Sequence, residues 1–184
     1  MKFLAKIASV GAALLFTADV MAHPIAAIGT EGFTVIASGG EVIAKYEGNS
    51  ASYSNDLYLG LDFIFNNQIT PVGNSVSLGT FAAGTELIFR LHVNDTGYDW
   101  YTGPASRNAD GLFHARVQEN WAPNTTLVSF EDLYGTPEGE WGFNDLSFSF
   151  TNTKSGGTSV PESSPFILMM VGLGLLSLAR RKTL

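Results

Sequence analysis

Short segments of alternating apolar and polar residues recur between residues 33 and 150, and turn-forming clusters separate them. A period of two places every second side chain on one face, which is typical of β-strands with one buried face. No stretch of twelve residues in this part of the chain carries the apolar stripe of a helix. The pattern predicts an all-β body, built as an antiparallel sandwich or jelly-roll-like fold. The predicted strands are 33–38, 41–46, 57–65, 86–93, 112–118, 127–130 and 145–150.

Two details of the alternation lead to specific expectations. Gly39-Gly40 separates the first two segments, so we expect these two strands to form a hairpin. Segment 57–65 carries an apolar residue at every odd position, which predicts one strand with a single buried face. The same reasoning predicts that the inward-facing side chains of two later segments are Leu87, Phe89, Leu91 and Val93, and then Phe113, Ala115 and Val117.

Residues 1–22 have the three parts of a secretory signal peptide. Lys2 and Lys6 give a positive start, an apolar run follows over 7–16, and Val-Met-Ala precedes a cleavage site before His23. A short N-terminal membrane anchor is the alternative, although the apolar run is too short to span a bilayer comfortably. We therefore expect signal peptidase to remove these residues.

An uncharged apolar segment, 166–179, lies near the other end, and Arg180, Arg181 and Lys182 follow it at once. A helix of this length spans about 21 Å. We expect a short transmembrane helix, helped by bilayer thinning or by snorkelling of the flanking cations. The positive-inside rule places the basic tail in the cytoplasm. The alternative is a buried helix of the globular body, which the adjacent cations disfavour.

Val160, Pro161 and Glu162 precede the apolar segment, with Ser163 after them. Together with the helix and basic tail, these residues make 160–184 resemble a PEP-CTERM sorting signal, in which a second proline usually stands at the position of Ser163. The resemblance implies Sec-dependent export in a Gram-negative bacterium, transient anchoring in the inner membrane and processing by an exosortase. It places the protein at the cell surface or in the extracellular matrix.

Between these two ends, residues 23–159 form an acidic ectodomain without cysteine. They hold 5 Lys and Arg against 15 Asp and Glu, whereas the whole chain holds 10 against 17. Because no surplus of cations is present to neutralise phosphates, nucleic acid is excluded as a partner. The lack of cysteine excludes disulfides, thiolate metal sites and cysteine nucleophiles. Residues 155–159 are rich in Ser and Gly and are typical of a flexible spacer.

Three segments of the body carry a second resemblance: 94–111 followed by His114, 130–135 (Phe-Glu-Asp-Leu-Tyr-Gly) and 143–148 (Phe-Asn-Asp-Leu-Ser-Phe). Over roughly 50–152 the chain is similar to a β-rich domain of unknown function that is common in PEP-CTERM proteins and bacterial surface proteins. Glu138 and Glu140 stand where that family usually has aspartate. The resemblance implies a β-rich fold and no enzymatic activity.

Acidic residues border the loop between the last two predicted strands. Glu131 and Asp132 follow one strand, and Asn144 and Asp145 precede the next. Hard oxygen ligands of this kind suit Ca²⁺, which makes these four residues a candidate calcium site. The alternative is that Asp132 and Asp145 cap turns by accepting hydrogen bonds from backbone N–H groups. The spacing is not that of an EF-hand loop.

Aromatic and histidine side chains give the remaining candidates. Tyr98, Trp100 and Tyr101 predict a polysaccharide-binding loop, because aromatic rings stack on sugar faces. The alternative is that these rings pack over the sandwich edge. His92 and His114 fall on polar positions of neighbouring predicted strands, and without a third ligand we expect both at the surface.

The chain contains no nucleophile elbow, P-loop or His-Glu-x-x-His motif. We therefore assign no catalytic residue and expect an exported structural or adhesive protein, associated with exopolysaccharide or a biofilm matrix. The alternative is a small polysaccharide-acting enzyme that uses acidic residues of 131–145, since a glycosidase needs only two carboxylates brought together by folding. Calcium is the candidate cofactor.

Overall fold

The computed structural model of the protein describes residues 23–135 and 142–157, which form twelve β-strands and one 3₁₀ turn at Ala105–Arg107. The strands are β1 (Thr34–Ala37), β2 (Gly40–Asn49), β3 (Asn55–Leu59), β4 (Asp62–Asn66), β5 (Ser75–Phe81), β6 (Glu86–Leu87), β7 (Phe89–Val93), β8 (Asp99–Tyr101), β9 (Ala115–Ala122), β10 (Thr125–Phe130), β11 (Leu146–Thr151) and β12 (Thr153–Gly156). Within the described residues no helix is long and apolar enough to cross a membrane. The expected signal peptide 1–22 and sorting segment 160–184 lie outside them.

All strand pairs are antiparallel, and they build three sheets. The five-stranded sheet has the order β5-β2-β11-β10-β9, and the four-stranded sheet has the order β4-β3-β7-β8. A three-stranded sheet, β12-β1-β6, completes the body. The prediction of an all-β, antiparallel, sandwich-like body is therefore confirmed.

The hydrophobic core joins the five-stranded sheet to the four-stranded sheet. Phe150 of β11 stacks on Phe89 of β7 with ring centroids 4.0 Å apart. Phe148 of the same strand stacks on Phe65 of β4 at 6.0 Å. All four rings are buried, and each such ring contributes about 2–3 kcal/mol through the apolar area that it removes from water.

The other face of β10 and β11 is covered as well, so both strands are buried along almost their whole length. Ala26 precedes β1, and its N–H donates to Ser129 Oγ at 2.8 Å. Ser129 Oγ in turn shares a 2.8 Å hydrogen bond with Ser147 Oγ. Buried polar positions are thus satisfied between neighbouring strands, which is the condition for placing hydroxyl groups in a core.

The expected hairpin at Gly39-Gly40 is wrong, because β1 and β2 belong to different sheets. β1 pairs with β12 on one side and β6 on the other. Gly39 and Gly40 have φ values of +102° and +96°, a region that favours glycine. The two glycines therefore redirect the chain from one sheet into the next instead of folding it back on itself.

The expected single strand over 57–65 is also wrong, because the chain folds back at Gly60-Leu61 between β3 and β4. The turn contains two residues, so the period of two continues across it and the apolar pattern does not reveal the break. A register shift then places Phe63 opposite Tyr58 and turns it outward, where it is 52% exposed. Leu61, at the turn itself, is 94% exposed.

The inward-facing residues predicted at Leu87, Phe89, Leu91 and Val93 are confirmed, since all four are buried. They come from two strands, because the chain passes at Ile88 from the three-stranded sheet to the four-stranded sheet.

The inward prediction also holds for Ala115 and Val117 but is wrong for Phe113, which is 40% exposed. Phe113 precedes β9, and its ring lies against Gly32, whose φ is +73°. A Cβ at Gly32 would overlap this ring, so the close approach requires glycine.

Candidate functional site

The pairing of β10 with β11 builds an acidic site. Phe130 lies opposite Leu146 at the end of this ladder, so the residues after β10 and before β11 are neighbours. Glu131, Asp132 and Asp145 each place one carboxylate oxygen within 4.8 Å of the others. These three residues form the acidic triad.

Asn144, the fourth residue of the sequence-based calcium set, lies beside the triad. Its carbonyl oxygen accepts a hydrogen bond from Ser50 Oγ at 2.8 Å, and the residue lines the neighbouring cleft. The structure therefore brings all four residues to one region. The carboxylate oxygens of three of them are close enough together to bind one metal ion.

Backbone N–H groups hold two of the carboxylates. Asp132 N–H donates to Asp145 Oδ2 at 2.8 Å. Glu131 accepts hydrogen bonds from Leu133 N–H at 3.3 Å and Phe143 N–H at 3.1 Å. Asp145 and Glu131 thus cap the chain where the strands end, in the way that carboxylates favour at turns.

Asp132 is held by a side chain from the facing sheet. Asn55, the first residue of β3, donates from Nδ2 to Asp132 Oδ2 at 2.8 Å and to Tyr53 O at 3.2 Å. Asn55 is fully buried, and its Oδ1 atom is buried without a hydrogen-bond partner. An unpartnered buried oxygen of this kind is rare in folded proteins.

The triad has no cationic partner within the described part of the chain. Six ion pairs occur there, and none involves Glu131, Asp132 or Asp145. Asp132 Oδ1 and Asp145 Oδ1 also accept no hydrogen bond from the described residues, and their other oxygens are used as stated above. Within the described residues, no N–H or hydroxyl group therefore competes with a ligand for these two carboxylate oxygens.

Burial and mutual repulsion perturb these acids. Burial, reinforced by the charge of Asp145, raises the pKa of Asp132 to about 6 despite the hydrogen bond from Asn55. Burial also raises the pKa of Asp145 to about 6, opposed by the hydrogen bond from Asp132 N–H and assisted by the charge of Glu131. Strongly shifted carboxyl groups in a cleft are a mark of a candidate functional site.

A cleft of about 460 Å³ opens next to the triad. Its lining residues are Ser50, Ser52, Tyr53, Asp132, Leu133, Asn144 and Asp145. Hydroxyl, amide and carboxylate groups predominate, so the cleft suits a polar ligand or a hydrated ion. Because Asp132 and Asp145 belong to both the cleft and the triad, a ligand in the cleft has direct access to the acids.

The stacked rings of Trp100 and His114 contact the backbone of the triad. The His114 ring lies 3.7 Å from the Trp100 ring at an interplanar angle of 3°. Trp100 Nε1 donates to Asp132 O at 3.0 Å, and His114 Nδ1 lies 3.0 Å from Glu131 O. The two buried rings therefore fix the backbone of both acids.

The second nitrogen of His114, Nε2, lies 2.8 Å from Asp110 Oδ2. Burial alone would raise the pKa of Asp110, but hydrogen bonds from His114, Leu112 N–H and Gly135 N–H outweigh it and lower the pKa. The expectation that His114 lies at the surface is wrong. The strand predicted at 112–118 begins only at Ala115, directly after His114, and the His114 ring is fully buried.

His92 matches its expectation more closely, since its side chain is 30% exposed. His92 Nδ1 lies 2.8 Å from Asp99 Oδ1, and Arg90 Nη1 donates to the same oxygen at 2.7 Å. The desolvation that would raise the pKa of Asp99 is outweighed by these two partners, which lower it. This group is a partly exposed ion-pair cluster on the four-stranded sheet.

The three aromatic residues of the predicted polysaccharide loop separate in the structure. Trp100 is fully buried, whereas Tyr98 is 38% exposed. Tyr134, which is 55% exposed, lies with its ring centroid 4.9 Å from that of Tyr98. Tyr101 lies elsewhere, in a shallow depression with Ile88 and Arg107.

Tyr98 and Tyr134 form an exposed tyrosine pair backed by the buried indole of Trp100, whose ring centroid lies 5.4 Å from Tyr98 and 6.1 Å from Tyr134. A pair of partly exposed rings held against a buried ring suits contact with sugars better than a mobile single ring would.

Several sequence-based candidates lie outside the described residues. They are the loop residues Glu138 and Glu140 and the sorting residues Val160, Pro161, Glu162, Arg180, Arg181 and Lys182.

Sequence reasoning missed two contributors, Asn55 and Tyr134. Asn55 precedes an apolar strand in a Tyr-Ser-Asn-Asp cluster that looks like an ordinary turn. Tyr134 directly follows the acidic segment, where an aromatic residue in a turn signal is the one available hint.

No protein-family model matches the chain, and neither the curated proteins nor the solved structures contain a significant match. The functional conclusions therefore rest on the residues and geometry of the chain itself.

Proposed function

We propose that the chain is an exported, exosortase-sorted protein of the cell envelope or extracellular matrix, with a structural or adhesive role and no enzymatic activity. The sequence features at 1–22 and 160–184 support its route, through Sec, signal peptidase, the inner membrane and an exosortase. The body is a jelly-roll-like sandwich ectodomain, and the chain after β12 joins it to its anchor. Of the expected spacer 155–159, Ser155 and Gly156 pair with β1 and belong to β12.

The exposed tyrosine pair is the observation that carries the adhesive role. Tyr98 and Tyr134 are partly exposed and contact one another, and the buried Trp100 ring lies against both. Aromatic faces bind pyranose rings through stacking, and the acidic body disfavours anionic polymers. The ligand class proposed is therefore a neutral exopolysaccharide.

Retention of the full-length protein on an insoluble neutral glucan, with alginate beads as the acidic comparison, tests this function. We expect retention on the neutral polymer and its loss in the Tyr98→Ala/Tyr134→Ala double variant. Phe63→Ala is the matched control, because Phe63 is also a half-exposed aromatic residue but lies on β4, away from the tyrosine pair. Equal retention of the two variants would contradict the proposal.

A polysaccharide-acting enzyme is the second candidate, and one observation favours it. Asp132 and Asp145 line a polar cleft with pKa values of about 6, and an acid that is protonated near neutral pH can serve as a general acid. Release of reducing ends from the polymer, lost in Asp132→Asn, would favour the enzyme. Retention without released ends would favour the adhesive role.

The proposed cellular location is tested by an experiment that does not involve the ligand. Cells producing the protein with and without residues 160–184 are fractionated into inner membrane, surface and medium. We expect the complete chain to be held transiently in the inner membrane and the shortened chain to cross it without being held there. The same size and compartment for both chains would contradict the sorting proposal.

A further inference from the structure

We propose that Glu131, Asp132, Asp145 and Asn55 form a Ca²⁺ site that joins the end of the β10–β11 ladder to the start of β3. This inference goes beyond the adhesive role and does not depend on it, because it concerns other residues and is tested without any polysaccharide.

The first argument is charge. Three carboxylates converge within 4.8 Å, and no ion pair of the described residues includes any of them. Like charges this close to one another repel strongly, because little solvent separates them. A divalent cation between the carboxylates replaces this repulsion with attraction.

The second argument is the Asn55 amide, which is independent of the carboxylates. Asn55 is fully buried, its amide faces Asp132, and Oδ1 has no partner. Leaving a buried acceptor unpaired is destabilising. Side-chain amide oxygens are regular Ca²⁺ ligands, and a half-turn of this amide exchanges Nδ2 for Oδ1 on the side that faces Asp132, where a bound cation would give the oxygen a partner.

The available donors also suffice for the coordination shell. Asp132 Oδ1 and Asp145 Oδ1 accept no hydrogen bond from the described residues, and Glu131 adds a third carboxylate. Ca²⁺ takes about six to eight oxygen ligands, some of which are commonly waters. The adjoining cleft of about 460 Å³ has room for those waters and gives the ion a path of entry.

The donor chemistry selects calcium over other common cations. The four side chains offer oxygen only, whereas Zn²⁺ favours His and Cys. The nearest imidazole, His114, uses both ring nitrogens for Glu131 O and Asp110. Mg²⁺ requires a compact octahedron, and a set drawn from three separate chain segments fits the irregular shell of Ca²⁺ better.

The position predicts the effect of binding. Glu131 and Asp132 end β10, Asp145 precedes β11, and Asn55 begins β3 of the facing sheet. An ion held by all four residues ties the two large sheets at one corner. We therefore expect Ca²⁺ to stabilise the fold as well as to bind.

The experiment uses the full-length protein, purified in detergent, treated with EDTA and dialysed to pH 7.5. Calcium chloride is titrated up to about 10 mM, which covers the weak affinities of extracellular sites. Calorimetry follows binding, and thermal unfolding follows stability. We expect one Ca²⁺ per chain and a rise in Tm, with a smaller rise in magnesium chloride.

Two variants locate the site. Asp145→Asn keeps an oxygen that can accept the Asp132 N–H but removes a ligand charge. We expect its Ca²⁺ affinity to fall at least about tenfold, a loss that even the replacement of residues hydrogen-bonded to metal ligands produces. Asp62→Asn is the matched control, because Asp62 is exposed at the start of β4 and should bind Ca²⁺ no differently.

Terbium provides a readout of position. Trp100 Nε1 donates to Asp132 O, so Tb³⁺ bound at the triad lies close enough to this indole for sensitised emission. We expect emission that Ca²⁺ displaces and that Asp145→Asn weakens. No binding and no rise in Tm up to about 10 mM Ca²⁺, or equal binding by Asp145→Asn and the parent, would overturn the proposal.

Discussion

The imidazole of His114 lies parallel to the indole of Trp100, with ring centroids 3.7 Å apart. Both ring nitrogens of His114 lie within hydrogen-bond distance of oxygens, Glu131 O and Asp110 Oδ2. Trp100 Nε1 donates to Asp132 O. This pair is therefore a structural support of the acidic triad.

Replacing His114 should destabilise the protein strongly. His114→Phe keeps a ring against Trp100 but removes the side-chain partner of the buried Asp110 carboxyl group and of Glu131 O, and each such loss costs about 1–3 kcal/mol. Chemical denaturation monitored by Trp fluorescence measures the change. His92→Phe is the control, since His92 is partly exposed and should cost less than about 1 kcal/mol. Similar losses for both variants would contradict the assigned role of His114.

Stability should rise as the pH falls from about 6 towards about 4 in the absence of Ca²⁺. Asp132 and Asp145 titrate near 6 in the folded state and near 3.9 in the unfolded chain, so the folded state binds more protons between these values. Denaturation in EDTA at several pH values tests this window. Asp132→Asn/Asp145→Asn should flatten the profile, and an unchanged slope would show that other groups cause it.

The stacked pair of Phe89 and Phe150 should be a principal source of core stability. Phe150→Ala removes a fully buried ring and leaves a cavity, for which the expected cost is about 3–5 kcal/mol. Phe63→Ala, at a half-exposed ring on β4, should cost less than about 1 kcal/mol. Equal costs in thermal unfolding would contradict the placement of the core between β7 and β11.

Gly32 should not tolerate a side chain. Gly32→Ala adds the strain of a positive φ and places a Cβ against the Phe113 ring. Gly60→Ala carries the same kind of strain with nothing within 4 Å, so it should cost about 1 kcal/mol and Gly32→Ala more. Phe113→Ala should recover part of the difference when it is combined with Gly32→Ala. No recovery in a double-mutant cycle would contradict the contact.

Strands and their buried residues could be predicted where one face of a strand is buried, because apolar and polar residues then alternate along it. The strand predicted at 145–150 and the inward positions Leu87, Phe89, Leu91 and Val93 are observed, because each residue there obeys the period-two rule locally. The break at Gly60 was hidden, since a two-residue turn preserves that same period. Sheet membership was hidden as well, because a pair of glycines can reverse a chain or send it into another sheet.

Only part of the candidate site could be predicted from the sequence, for a related reason. The two acidic segments flank neighbouring strands of one antiparallel ladder, so their convergence follows from local pairing. Asn55 comes from the facing sheet, and Trp100 and His114 reach the triad through tertiary packing. Contacts between sheets carry no local periodicity, and for that reason the sequence pattern could not reveal them.

The last described strand has a mechanical consequence. β12 is a four-residue strand whose hydrogen-bonded partner is β1, with Gly156 opposite Thr34. Asn152, which has a φ of +53°, forms the turn between the central strand β11 and β12. Tension entering the body from residues beyond 157 therefore loads this short ladder first. Under such tension we expect β12 to separate from β1 before the strands around the aromatic core of β11 are pulled apart.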